Sequence, residues 1–138
     1  MAGTFSLKVV TPAGVVFDGS VEQVTARNPL GEFGVLPEHI NFVTSLVPCV
    51  LRIRTRGAET ETWIISGGLA EVKDGAMTVL ADSAESAGSV NRGNAESAER
   101  DAEQKLGAMN AYEPDFAAAE SELALARARV EATSASAD

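Results

Sequence analysis

His39 is the only histidine in this chain of 138 residues, and it directly follows Glu38 in the stretch GEFGVLPEHI, residues 31–40. A histidine beside a carboxylate is the kind of pair that performs general acid–base work near neutral pH. Such chemistry needs further partners, and they are missing. Cys49 is the only thiol, and nothing nearby places it against His39 or lowers its pKa. One histidine and one cysteine are too few for a zinc or copper site, so no metal is expected. The serine of SGG, residues 66–68, lacks the surroundings of a nucleophile elbow, and its glycines predict a strand bend or bulge instead. No phosphate-cradling glycine motif occurs, and no cofactor is expected. The chain therefore reads as non-catalytic. His39 takes a structural or contact role in a turn shaped by Gly31, Gly34 and Pro37.

The elements that position this turn follow from a change of composition near residue 85. Residues 1–84 hold 24 Val, Ile and Thr, whereas residues 85–138 hold three, with 15 Ala among 54 positions. Branched residues favour pleated strands and alanine favours helix. A β domain over 1–84 followed by a helical tail over 85–138 is the predicted organisation. Its core rests on Val, Ile and Leu, because aromatics make up only 5% of the chain.

Short strand signals separated by turn residues predict a sandwich or barrel in the first part. Phe5, Leu7 and Val9 alternate with Ser6 and Lys8, and Leu51 and Ile53 alternate with Arg52, Arg54 and Arg56. A turn at Gly57–Ala58 would set Arg56 opposite Glu59, Arg54 opposite Glu61 and Arg52 opposite Trp63. Asp74–Gly75, between LAEVK and AMTVLAD, predicts a type I′ hairpin.

In the second part Ala95, Ala98, Ala102, Leu106 and Met109 recur at helical spacing, as do Phe116, Ala119, Leu123, Ala126 and Val130. Gly107 and Pro114 lie between these stretches, which predicts two antiparallel helices joined by a short loop. An alanine seam buries little area per residue, so this hairpin should be the less stable part and able to leave the sandwich. The final TSASAD is expected to fray.

Net charge is −9, which disfavours nucleic acid or an anionic lipid surface and favours partners with basic surface. The start MAGTFSLKVV has no basic n-region or long apolar run, so no secretory signal is expected. No segment approaches the ~18 apolar residues of a membrane span, so any membrane link should run through a partner. A single cysteine suits a reducing compartment.

GEFGVLPEHINFVTSL, ISGGLAEV and TVLADSAE resemble, in order and spacing, marker segments of the epsilon subunits of bacterial F-type ATP synthases. AERDAEQKL and DFAAAESELALARARV resemble the two C-terminal helices of that family. The resemblance implies a ten-stranded β-sandwich followed by a two-helix hairpin. It implies a non-catalytic subunit at the foot of the central rotor stalk, docked on the gamma subunit and the ring of c subunits. It also implies a peripheral position on the cytoplasmic face of the bacterial plasma membrane. The hairpin of the family folds down on the sandwich or extends along gamma toward the alpha and beta subunits, where it blocks hydrolysis.

By the same resemblance, a loop comprising Gly31, Glu32, Phe33 and Gly34 meets the c ring, and His39 ends that segment. Glu38 stands where the family often has glycine, which implies strain if the position needs a positive φ. Some members bind ATP through Ile/Leu-Asp-x-x-Arg-Ala at the start of the first helix. The matching residues here are Val90 to Ala95, with Asn91 in place of the aspartate and Asn94 in place of the arginine. Loss of that cation implies weak or absent ATP binding. Arg127 and Arg129 are the basic residues near the end of the second helix, where the raised hairpin of the family meets acidic segments. Few charges would hold that state, so inhibition should be modest and salt-sensitive. A free-standing β-sandwich binding module with a helical dimerisation hairpin is the alternative reading.

Overall fold

The computed structural model describes residues 3–57 and 59–135. Among these residues nine strands precede the helices: β1 (Phe5–Thr11), β2 (Gly14–Asn28), β3 (Gly31–Val35), β4 (Phe42–Leu46), β5 (Cys49–Thr55), β6 (Thr60–Ile65), β7 (Gly68–Lys73), β8 (Ala76–Ala81) and β9 (Ala84–Ser86). A 3-10 turn (Ala87–Ser89) then leads to α1 (Arg92–Gly107) and α2 (Phe116–Ala135). This is the predicted β-sandwich with a helical hairpin. Ten strands are reached only by counting the halves of β2 separately. That 15-residue strand pairs with β1 through Val21, shifts register before Gln23, and continues against β5 and β3. β2 therefore belongs to both layers, β4-β7-β8-β1-β2 and β2-β5-β6-β9, with β3 on its outer side.

Alternation decides which side chains fill the space between the layers. Leu7 and Val9, Val24 and Ala26, Leu51 and Ile53, and Met77 and Val79 are all buried there. β9 straddles the expected division between residues 84 and 85, pairing Ile65 with Ala84 and Ile64 with Glu85. Asp74 and Gly75 both have positive φ, 50° and 80°, as the type I′ turn requires. Gly68 opens β7 at φ 145°, and a Cβ there would overlap the Leu80 carbonyl, so SGG is a site of close backbone approach.

The β5–β6 register differs from expectation by one residue. Arg52 lies opposite Thr62, Ile53 opposite Glu61 and Arg54 opposite Thr60, and the Thr55 amide donates to the Glu59 carbonyl at 2.8 Å. Closing on Thr55 and Glu59 leaves three connecting residues rather than two, so every facing pair moves by one. Ala58, half of the expected turn, lies outside the described residues. Deprived of facing carboxylates, Arg54 approaches Glu22 of β2 at 4.0 Å and Arg52 pairs with Glu131 of α2 at 3.1 Å.

The helices begin and end close to where their periodicity predicts. Asn91 caps α1: its side-chain oxygen accepts from the Asn94 amide at 2.9 Å. Ala95 and Ala102 of α1 are buried, as are Ala119, Leu123 and Ala126 of α2, while Ala98 is exposed. Lys105–Glu122 at 3.1 Å and Arg127–Glu103 at 3.8 Å bridge the two helices. A second face of α2 rests on the sandwich. Ala128 and Ala132 join Val50, Ile64 and Ala87 in a small cluster of their own. Thr133, expected to fray, is buried within α2, and its hydroxyl donates to the Val130 carbonyl at 2.8 Å. Residues 136–138 lie outside the described residues.

Candidate functional site

Gly31, Glu32, Phe33 and Gly34 are the strand β3 rather than a loop. The hairpin turn lies earlier, at Pro29–Leu30, where the Asn28 side-chain oxygen accepts from the Leu30 and Gly31 amides. Leu30 at its tip is 97% exposed. Along β3, Glu32 points to solvent opposite Arg27 of β2, and Val35 points into the core. Phe33 meets Phe42 of β4 edge to face, with ring centroids 5.8 Å apart. Glu32 also borders a groove shared with Arg127 and Glu131 of α2.

His39 follows in a separate turn, Leu36–His39, closed by the His39 amide donating to the Leu36 carbonyl. Pro37 at the second position and Glu38 at φ 67° fit a type II turn, which takes glycine at the third. Glu38 therefore does hold a left-handed conformation. The His39 ring stacks at a tilt on Phe42, with centroids 5.0 Å apart. Its Nδ1 lies 2.9 Å from the Ile40 carbonyl, which can only accept, so Nδ1 carries the proton. The ring thus serves a local turn and an aromatic cluster. Cys49 is in different company, buried, with its Sγ 3.9 Å from the Arg27 carbonyl. Burial pushes its thiol above the ordinary value, the reverse of what a nucleophile needs.

An apolar row on the outer face of the first layer escapes sequence reading. Register sets Leu69 of β7 beside Leu80 of β8, Leu80 beside Val10 of β1, and Val10 beside Val15 of β2. Their chain neighbours Ala70, Val79 and Val9 are buried, so these four face outward; Leu69, Leu80 and Val15 are each about half exposed. Val43 of β4 lies diagonally beyond Leu69 at 66% exposure. The residues come from five strands spread over the chain, and only the register aligns them. A continuous exposed apolar row suits a protein partner.

Asn91 and Asn94 border a groove of about 350 Å³ beneath the start of α1, together with Glu85, Ser89, Val90, Ala95, Ala98 and Arg129. The Asn91 side chain is engaged in the cap. Arg129 donates from Nε to Glu85 at 2.6 Å and from Nη2 at 3.4 Å. Arg92 turns instead toward Glu96, 3.8 Å away. Among the described residues that line the groove, the one cation, Arg129, is therefore already neutralised.

Comparison with known proteins completes this picture. The family model described as ATP synthase, Delta/Epsilon chain, beta-sandwich domain matches residues 4–87. The ATP synthase epsilon chain of Bacillus cytotoxicus is 42% identical over 125 residues, covering 91% of each chain. That of Acidithiobacillus ferridurans is 39% identical over 123 residues, 89% of this chain and 86% of the relative. Among solved structures, a chain of the Euglena gracilis mitochondrial ATP synthase (OSCP/F1/c-ring) shares the fold with a TM-score of 0.81 at 23% identity, covering 98% of this chain and 82% of that one. A chain of the Tetrahymena thermophila mitochondrial ATP synthase central stalk/c-ring gives a TM-score of 0.60 at 16% identity, covering 93% and 95%. A nine-stranded sandwich with an outer apolar row, a helical hairpin laid on its side, and this likeness over nearly the whole length agree, and the chain belongs to the ATP synthase epsilon chains.

Proposed function

We propose that this epsilon chain is a non-catalytic rotor subunit of a proton-translocating F-type ATP synthase. Its sandwich docks on the gamma subunit and the c ring and couples ring rotation to ATP synthesis. Its hairpin, residues 85–138, is a regulatory tail that reaches the alpha and beta subunits when raised. The observation that carries the reading is the outer row of Val15, Val10, Leu80 and Leu69, a surface with the shape and polarity of a protein contact. Glu32, near the exposed tip at Pro29–Leu30, is the acidic residue proposed to touch the ring, with Gly31, Phe33, Gly34 and His39 shaping that end. Its proposed place is peripheral, attached through the complex at the cytoplasmic face of the bacterial membrane; no helix among the described residues is long and apolar enough to cross a membrane.

Co-purification with gamma tests the proposal. The wild-type chain should be retained by gamma, whereas Leu69→Gln combined with Leu80→Gln should lose most retention while keeping its circular dichroism spectrum. Undiminished retention of the folded double variant would remove the row from the interface. No retention of the wild-type chain would instead favour a free-standing module.

A further inference from the structure

We infer that the hairpin is held on the sandwich by a two-point ionic latch of opposite polarity, Arg129–Glu85 and Glu131–Arg52, and that ionic strength rather than a bound ligand sets how readily it lifts. Ala128 and Ala132, with Leu125 packed beside them, face the sheet from α2, and they sit on Val50 and Ile64. With 100° between successive residues, Arg129 and Glu131 fall on opposite flanks of that contact. The sheet beneath is ordered β5, β6, β9, with Val50 opposite Ile64 and Ile64 opposite Glu85. Arg52 lies two residues beyond Val50 on β5. The helix thus presents a cation toward β9 and an anion toward β5, and the sheet answers each with its opposite, at 2.6 Å and 3.1 Å.

This arrangement specifies one docked orientation. Turning α2 end for end over the same apolar pair would carry Glu131 toward Glu85 and Arg129 toward Arg52, two like-charge encounters. The apolar contact discriminates less, because its fully seated α2 residues are alanines, which present a small surface, and Leu125 is only partly buried beside them. All four charged side chains are partly exposed, between 29% and 48%, so salt reaches them. A phosphate ligand in the groove below α1 would meet the Glu85 carboxylate and compete for a guanidinium already bound on two nitrogens. The docked state supplies its own counter-charges. This inference concerns the hairpin on its own sandwich and does not depend on whether the raised tail inhibits hydrolysis.

The test is hydrogen exchange of the α2 amides in the full chain, with β1 and β5 amides as an internal control of sandwich folding. Raising NaCl from about 0.02 to 0.5 M should speed α2 exchange while leaving the control unchanged. Glu85→Gln, Arg129→Gln and Arg52→Gln should each speed α2 exchange about two- to fivefold at low salt, the range of exposed ion pairs, and flatten the salt dependence. The reversed pair, Glu85→Arg with Arg129→Glu, should recover protection that either reversal alone loses. Millimolar ATP should leave α2 protection unchanged. Protection indifferent to salt and to all three neutral variants would overturn the latch. A marked gain of protection with ATP would overturn its independence of ligand.

Discussion

Glu38 shows how one residue type can conflict with its backbone. Pro37 sets the second position of the turn, and φ at Glu38 is 67°, a conformation that costs an L side chain about 1–2 kcal/mol. Glu38→Gly should therefore raise stability by about 1 kcal/mol in urea unfolding, after the extra backbone freedom of glycine is discounted. A fall in stability would show that the carboxylate makes a contact worth more than the strain. Asn91 carries a different lesson. Its side chain binds the Asn94 amide and starts α1, a capping role that asparagine fills as well as aspartate does. The sequence offered that signal, since asparagine leads a helical stretch.

Among the elements, α2 does double duty. One face, Ala119, Leu123 and Ala126, packs on α1, and another, Ala128 and Ala132, packs on β5 and β6. Apolar periodicity revealed the first face because leucine and phenylalanine mark it. The second is written mostly in alanine, with Leu125 beside it, and alanine recurs all around the helix and so points nowhere in particular. The better signal lay in the strands, where Val50 and Ile64 sit at positions that alternation assigns to solvent. Ala132 is fully buried against them, so Ala132→Glu should unseat α2 by burying a charge without a partner. Because this cluster is separate from the sandwich core, the thermal transition of the sandwich should stay within about 0.5 kcal/mol of wild type. α2 should meanwhile lose exchange protection. Loss of sandwich stability as well would mean that the two parts fold as one unit.

At the scale of the whole molecule, the folded hairpin engages the two arginines that the proposed raised state would offer to the catalytic subunits. Arg127 holds Glu103 and Arg129 holds Glu85, so extension exchanges these pairs for new ones. Two exposed arginines contribute roughly 0.2–1 kcal/mol each, which bounds the hold on the raised state. Truncation after residue 88 keeps β9 paired to β6 and removes both helices. In the reconstituted complex this truncation should raise ATP hydrolysis by no more than about thirtyfold, and the gain should shrink as salt increases. A much larger gain, unaffected by salt, would mean that contacts other than charge hold the raised tail.

The sequence by itself determined the order of β then helix, the Asp74–Gly75 hairpin, both helix spans and the family. Each is encoded by residues close together in the chain, through side-chain periodicity, turn chemistry or motif spacing. The tertiary structure alone decided the β5–β6 register, the partners of the arginine row, the apolar row on the outer face and the docked face of α2. Arg129 and Glu85 are 44 residues apart, and no local rule couples them. Short-range patterns say which face of an element is apolar, but which charges then meet depends on how whole layers stack, and only the assembled fold sets that.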